Sequence, residues 1–130
     1  MQKILFEIIN TDQTGYIRSR YIGCNIRNII DIYDYVENSG TGGAMISIDF
    51  EKAFDTIEHD FIFQTLKQFS FGDDFIRWIK IFYKNPVFRI KNNGWVSGSS
   101  SMTRGTRQEC PMSALLFVLA VEILVCRHSK

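Results

Sequence analysis

The segment Ala44-Met-Ile-Ser-Ile-Asp-Phe-Glu-Lys-Ala-Phe-Asp55 places one carboxylate, Asp49, directly after a short apolar run. An apolar run of this length predicts a buried strand over 44–48, so Asp49 would emerge at its C-terminal end. Ligands of α/β architectures usually bind at that end of the strands. Mg²⁺ prefers oxygen ligands and takes one or two carboxylates together with substrate phosphates. A carboxylate at Asp49 beside the ring of Phe54 can therefore hold a Mg²⁺ and border a nucleotide pocket. Taken alone, the more common role of an Asp at a strand end is to cap the following turn.

Composition limits the class of protein. The chain has 130 residues, which is at most one domain, and 45% of them are hydrophobic, which excludes general disorder. The formal charge of +1 gives no global signature of nucleic-acid binding, so such a role must depend on local patches. Three widely spaced cysteines favour free thiols in a reducing compartment over disulfides or zinc.

Neither end of the chain predicts membrane targeting. The N-terminal ten residues are too polar for a signal peptide. The apolar segment Met112–Cys126 contains Glu122 and is shorter than the roughly 20 residues that a bilayer requires. We therefore expect an intracellular protein, nuclear or cytoplasmic and not secreted, in which this segment is a buried helix.

Periodicity and turn signals predict a helix-rich α+β or mixed α/β fold. The expected helices are Asn25–Val36 with one apolar face, Phe61–Phe69 closed by Gly72, Phe75–Tyr83 capped by Asp73 or Asp74, and Met112–Val125 with Pro111 in its first position. Asn92-Asn-Gly94 predicts a hairpin between Val87–Lys91 and Trp95–Val96, and Ser97–Ser101 predicts a loop. Because only the strand at 44–48 is central, part of its sheet is expected to lie outside this sequence.

Four blocks of this chain, in this order, resemble the reverse transcriptase domain of LINE-type (non-LTR) retrotransposons. They are Asp12-Gln-Thr-Gly-Tyr-Ile-Arg-Ser-Arg20 with Asn25-Ile-Arg27, Ser47-Ile-Asp-Phe-Glu-Lys-Ala-Phe-Asp55, Asn92-Asn-Gly94, and Arg104-Gly-Thr-Arg-Gln-Glu-Cys-Pro-Met-Ser113 with Leu115-Leu-Phe117. The resemblance implies a partial right-hand polymerase over 1–130. Segments 1–43 and 60–100 would be fingers-like or connecting, and 44–59 and 101–130 palm-like.

The resemblance also implies roles around the first carboxylate. Asp49 would be the catalytic, metal-binding aspartate, and the carbonyl of Phe50 would be a further metal ligand. Phe54 would be the ring that lies against the sugar and excludes ribonucleotides; the alternative is a core aromatic on a helical turn.

A second set of residues would bind the incoming nucleotide. Arg107, Gln108 and Pro111 match the block that forms the floor of the nucleotide and template site in this family. The family has Gly where this chain has Glu109. Gly allows a positive φ or a close backbone approach, and a carboxylate would repel phosphates. We therefore expect this substitution to impair polymerisation.

Basic residues would follow the nucleic acid. Arg18, Arg20 and Arg27 resemble the fingers segment along template or nucleotide phosphates, and Arg104 would extend the same groove. The alternative is a solvated basic face.

After the palm helix the family carries two adjacent acidic residues, and this sequence has none there. The expected function is therefore part of an RNA-directed DNA polymerase with Mg²⁺ as cofactor, inactive alone. Its partners would be an RNA template, a DNA primer, deoxynucleoside triphosphates, the remaining polymerase domain and an endonuclease domain, with no membrane. Two alternatives stay open: a non-catalytic nucleic-acid-binding remnant, and an unrelated small α/β phosphotransferase built on Asp49.

Overall fold

The computed structural model describes residues 1–107 and 109–128, with side chains described up to Val125. These residues form helices α1 (Gln2–Ile8), α2 (Ile22–Ser39), α3 (Ala53–Thr56), α4 (His59–Gln68), α5 (Asp73–Phe82) and α6 (Pro111–His128), and strands β1 (Val87–Phe88), β2 (Lys91–Asn92), β3 (Trp95–Val96) and β4 (Ser100–Ser101). The chain divides into two compact units, Met1–Glu51 and Lys52–Lys130. This helix-rich chain with small sheets agrees with the predicted α+β class.

The first unit has a small core. Leu5 and Ile9 from the α1 region and Ile17 from the following loop are buried. Helix α2 confirms the predicted helix over 25–36 and extends it at both ends. It ends where Gly40 adopts a left-handed conformation with φ of 65°, which is the common way to terminate a helix. No residue of α2 is buried, so its apolar face is open to solvent within this unit.

The predicted strand at 44–48 is wrong for this structure. Residues 41–50 form neither helix nor strand and are exposed throughout, with Ile46 83% exposed. A strand exists only by pairing its backbone with a neighbour, and none of the described strands pairs with this segment. The apolar run is present, but within the described residues no sheet buries it.

Helix α4 lies at the centre of the second unit and packs against both α5 and α6. Ile62, Thr65 and Leu66 are its buried residues. It ends at Gln68; Ser70, two residues on, has φ of 57°, and the Phe71 amide donates to the Leu66 carbonyl at 3.0 Å. These are the features of a Schellman motif.

The predicted turn between α4 and α5 is therefore wrong in two details. Ser70, not Gly72, provides the left-handed residue that closes α4, and Gly72 is the N-cap of α5. Asp73 and Asp74 lie inside the first turn of α5 without a side-chain capping bond. Their carboxylates are still favourable there because the N-terminus of a helix carries partial positive charge.

The predicted hairpin is confirmed. Lys91 pairs with Val96 and Asn92 with Trp95, and the loop residues Asn93 and Gly94 have φ of 46° and 81°. Positive φ at both loop positions is the requirement of a type I′ turn, which Asn-Gly satisfies.

The hairpin continues beyond the predicted strands. Val87 pairs with Ser101 and Phe88 with Ser100, so the register between β1 and β4 is shifted by one residue from that between β2 and β3. The second half of the hairpin thus contains one extra residue near Gly98, as in a β-bulge. The Ser-rich segment, predicted to be a loop, is partly strand because its backbone completes this ladder.

Helix α6 starts at Pro111 as predicted and contributes much of the core of the second unit. The buried apolar residues of this helix are Leu115, Leu116, Val118, Leu119, Ala120 and Ile123. In the part of the chain that the structure describes, no helix meets the length and hydropathy that crossing a bilayer requires.

Candidate functional site

Asp49 lies in the exposed segment 41–50 of the first unit, together with Phe50. The Asp49 side chain is exposed, and the ring of Phe50 is 44% exposed. An exposed carboxylate followed by a backbone carbonyl offers the oxygen donors that a hard divalent cation prefers. One carboxylate is few for such a site, and among residues 1–107 and 109–128 no group of three or more His, Cys, Asp or Glu side chains is placed to hold a metal ion.

Phe54 lies on α3 in the second unit and is half-buried. Its ring centroid is 4.8 Å from that of Phe117 on α6, with the ring planes tilted by 43°. Its carbonyl oxygen accepts a hydrogen bond from the Thr106 amide at 2.6 Å and one from the Thr106 hydroxyl at 3.3 Å. The Phe54 ring thus packs at the edge of the core, and its role as the sugar-excluding ring stays a prediction.

The loop before α6 is held against the segment between α3 and α4. The Gly105 amide donates to the Ile57 carbonyl at 2.7 Å, and its own carbonyl lies 2.9 Å from Nε2 of His59. Gly105 has φ of 88°, and a Cβ at this position would lie 2.9 Å from the Cα and carbonyl oxygen of Asp55. Only glycine therefore fits this position, which fixes where the following loop begins.

His59 contacts the loop before α6, which the sequence did not predict. Besides Gly105, its ring contacts that of Tyr83 with the centroids 4.7 Å apart. Nothing in the sequence around position 59 indicates this role, because Gly105 is 46 residues away in the chain. The glycine between Arg104 and Thr106 was the available signal that a close backbone approach occurs here.

The start of α6 is organised by Ser113. Its hydroxyl donates to the Arg107 carbonyl at 2.6 Å, and its amide donates to the Cys110 carbonyl at 2.9 Å. Glu109 has φ of 58°, so the position where the family has Gly does adopt the left-handed conformation. A non-glycine residue there costs roughly 1–2 kcal/mol.

Two side chains at this helix start have shifted pKa values. Burial favours the neutral Cys110 thiol, but the amides of Met112 and Ser113, the Ser113 hydroxyl and the charge of Arg107 together lower its pKa. Burial raises the pKa of Tyr83. A hydrogen bond with Ser113 lowers this pKa in part, and the nearby charge of Cys110 raises it further. The environment at the start of α6 therefore favours negative charge at Cys110.

Arg20 has a structural role that sequence analysis did not anticipate. Its guanidinium donates to the carbonyls of Phe6 at 3.0 Å, Ile9 at 2.9 Å, Gln13 at 2.8 Å and also Asn10. It also lies over the Phe6 ring, 5.3 Å from the centroid. The side chain thereby satisfies carbonyls at the C-terminal end of α1, where cations are favoured.

The other predicted basic residues are more accessible. Arg18 is exposed and lines an open pocket of about 300 Å³ together with Lys3. Arg27 is exposed but is paired with Asp31 at 2.8 Å, one turn along α2. Arg104 and Arg107 are exposed on the loop before α6, and Gln108 lies outside the described residues.

Comparison with known proteins gives a consistent result. Residues 1–130 match the family model described as reverse transcriptase (RNA-dependent DNA polymerase). The chain is 33% identical over 130 residues to the transposon TX1 uncharacterized 149 kDa protein of Xenopus laevis, which is 100% of this chain and 10% of that protein.

Two further relatives are polyproteins of retrotransposable elements. The retrovirus-related Pol polyprotein from type-2 retrotransposable element R2DM of Drosophila melanogaster is 29% identical over 79 residues, which is 61% of this chain and 8% of that protein. The retrovirus-related Pol polyprotein from type-1 retrotransposable element R2 of Popillia japonica is 27% identical over 105 residues, or 78% of this chain and 17% of that protein. The chain thus spans a small part of each relative.

Proposed function

The chain belongs to the reverse transcriptase family of LINE-type (non-LTR) retrotransposons, and on that premise we propose that it is the fingers-and-palm portion of an RNA-directed DNA polymerase. The proposed reaction is addition of deoxynucleotides to a DNA primer on an RNA template. The observation that carries this proposal is the family match over residues 1–130, which includes both the Asp49 and the Arg107 blocks. An unrelated phosphotransferase is excluded by the same match.

Asp49 and the Phe50 carbonyl are the proposed metal-holding groups. Their oxygen atoms fit a divalent cation, and the exposure of Asp49 leaves its carboxylate accessible. Mg²⁺, when bound, supplies charge that favours an ionised primer hydroxyl and stabilises the transferring phosphate. A single carboxylate is a weak clamp for two ions, so we propose that residues 1–130 have no polymerase activity without a second acidic pair.

The nucleotide is proposed to bind near the loop that precedes α6. Arg107 contributes an exposed cation, and Pro111 begins α6, whose N-terminus carries the partial positive charge that favours an anion. Gln108 is proposed to contact the nucleotide through its amide. Phe54 is proposed to act as the sugar-excluding ring from its anchored place against Phe117.

The proposed partners follow from the activity. They are an RNA template, a DNA primer and deoxynucleoside triphosphates, with the remaining polymerase domain and an endonuclease domain in a longer protein. Two of the relatives are Pol polyproteins several times longer than this chain, which supports the presence of further domains.

Primer extension tests the proposal. We expect no extension by residues 1–130 alone, and extension by a longer protein that continues through an adjacent acidic pair. In the longer protein, Asp49→Asn should lower the rate by at least about 100-fold because charge stabilisation at the transferring phosphate is lost. Asp73→Asn is the matched control, since Asp73 is an exposed acid in the first turn of α5, and should leave the rate unchanged. Equal rates for the wild type and Asp49→Asn would contradict the proposal.

The second candidate is a non-catalytic nucleic-acid-binding remnant. The observation in its favour is Glu109, which occupies a left-handed position and brings a carboxylate to the proposed phosphate site. Like charges 4 Å apart repel by roughly 1–4 kcal/mol. If the longer protein binds RNA but extends a primer only after Glu109→Gly, the remnant is the correct description of the natural sequence.

A further inference from the structure

The near-neutral charge of the chain conceals a strong local bias. Residues 75–108 contain seven basic side chains and no acidic one. These side chains are Arg77, Lys80, Lys84, Arg89, Lys91, Arg104 and Arg107. Opposite charges that are interspersed neutralise one another, whereas a run of one sign produces a field that attracts a polyanion.

The hairpin of residues 87–101, which we call the ribbon, lies in the middle of this run. Side chains alternate between the two faces of a strand. Arg89 and Lys91 therefore share one face, and Phe88 shares the other with Asn92 and its cross-strand partner Trp95. One face is cationic and the other is aromatic.

Both faces of the ribbon are accessible. Trp95 is 65% exposed and Phe88 is 48% exposed, and Arg89 and Lys91 are exposed as well. Exposed aromatic side chains cost solvation energy, so they commonly mark a binding surface. Within the described part of the chain, no carboxylate forms a salt bridge with either cation of the ribbon.

The ribbon is also partly preorganised. Arg89 donates from Nε to the Ser99 hydroxyl at 2.9 Å, and the Ile90 amide donates to the Ser97 hydroxyl at 2.9 Å. These bonds join the two sides of the ribbon at the bulge and orient the Arg89 guanidinium relative to the opposite side. A side chain that is already oriented loses less entropy when a ligand binds.

We propose that the ribbon binds single-stranded nucleic acid, with Arg89 and Lys91 at the phosphates and Trp95 and Phe88 stacked against bases. Phosphates and bases lie on opposite sides of the sugar backbone, so a single strand that runs along one edge of the two-stranded ribbon can turn its phosphates to the cationic face and its bases to the aromatic face. Cations that follow a backbone together with aromatic side chains that stack on bases are the usual means of binding a single strand. The inference rests on the proposed polymerase function and adds a surface outside the Asp49 and Arg107 blocks.

Fluorescence anisotropy of the chain with a labelled oligouridylate and a labelled oligothymidylate tests the ribbon directly. Each phosphate contact on a single strand contributes about 0.7 to the slope of log K against log salt. The double variant Arg89→Gln with Lys91→Gln should therefore give a slope shallower by about 1.4. Lys67→Gln, an exposed lysine on α4 outside the acid-free run, is the matched control and should leave the slope unchanged.

Tryptophan fluorescence provides a second measurement that does not depend on the charge variants. The chain has two tryptophans, so the Trp78→Phe variant reports on Trp95 alone. Its emission should be quenched on addition of either oligonucleotide, and Trp95→Ala should weaken binding roughly tenfold by loss of stacking. Trp78→Ala is the control for loss of an exposed indole elsewhere and should bind like the wild type.

The outcomes separate the two proposals. Unchanged salt slope in the double variant, no quenching of Trp95, or binding of polyglutamate as tight as that of the oligonucleotides would each overturn the ribbon inference. Primer extension that depends on Asp49 would then still support the polymerase. Either preference would support the inference. Tighter binding of the oligouridylate would indicate that the ribbon binds the RNA template, and tighter binding of the oligothymidylate would indicate that it binds the DNA strand.

Discussion

The carbonyl oxygen of Gly105 lies 2.9 Å from Nε2 of His59, which joins the loop before α6 to the first turn of α4. The adjacent amide of Gly105 bonds to the Ile57 carbonyl, and Thr106 bonds to that of Phe54. Phe54 and Thr106 therefore belong to one hydrogen-bonded arrangement, although 52 positions of sequence separate them. The loop that carries Arg107 is held by backbone contacts that a change at Gly105 would disturb.

The first prediction concerns Gly105→Ala. A Cβ would lie 2.9 Å from the Asp55 backbone, and φ of 88° is unfavourable for alanine, so we expect the free energy of unfolding to fall by at least about 2 kcal/mol. Urea unfolding followed by circular dichroism measures this change. Gly98→Ala is the control, since a Cβ added there would meet no atom within 4 Å and its φ is not in the left-handed region, and it should change stability by less than about 0.5 kcal/mol. Equal losses in the two variants would contradict the steric argument.

The second prediction concerns Glu109→Gly. Because Glu109 has φ of 58°, glycine should relieve backbone strain and raise the free energy of unfolding by about 1 kcal/mol. Glu109→Ala removes the charge but keeps the strain, so it should give little or none of this gain. Thermal unfolding of the two variants side by side distinguishes conformation from charge. A gain of the same size in both would assign the effect to the carboxylate instead.

Elements defined by local signals were predicted well from the sequence. The apolar spacing over 25–36 and the Pro111 start indicated α2 and α6, which the structure contains. The pair Asn93-Gly94 predicted the hairpin turn correctly, because few other residue pairs accept positive φ at both positions. These signals act over a few residues, so they do not require knowledge of distant segments.

Features that depend on distant partners were not predicted. The run 44–48 has the composition of a strand but no paired neighbour, and strand formation is decided by the neighbour. The sequence indicated that Arg20 contacts phosphates. In the structure its guanidinium donates to the carbonyls of Asn10 and Ile9, which lie ten and eleven residues earlier in the chain. Ser70 replaced the expected glycine at the end of α4 because a short polar residue tolerates the left-handed region when the surrounding bonds enforce it.

The third prediction concerns the reactivity of Cys110. Its pKa is lowered in the folded chain, so a larger fraction is thiolate near neutral pH and alkylation by iodoacetamide should be faster than for an ordinary thiol. Ser113→Ala removes the hydroxyl that bonds the Arg107 carbonyl beside Cys110, so it should raise the pKa of Cys110 and slow alkylation at a fixed pH. Because the folded pKa lies below the unfolded one, the associated stability is present above the unfolded pKa and is lost as pH falls through the folded pKa.

Peptide mass spectrometry after timed alkylation measures each cysteine separately. The peptide containing Cys24, an exposed thiol on α2, is an internal control whose rate should not respond to Ser113→Ala. If Ser113→Ala left the rate at Cys110 unchanged over the pH range, the hydrogen bond at the start of α6 would not be the cause of the lowered pKa.

The last prediction separates the structural arginine from the accessible one. Arg20 donates to four carbonyls, so Arg20→Lys, which keeps the charge but loses the planar fork, should destabilise the Met1–Glu51 unit by about 2 kcal/mol. Faster hydrogen exchange of the α1 amides measures this loss. Arg18→Gln, at an exposed position, should leave exchange unchanged but make the salt slope of RNA binding shallower by about 0.7. Exchange unaffected by Arg20→Lys would mean that the carbonyl contacts do not hold α1.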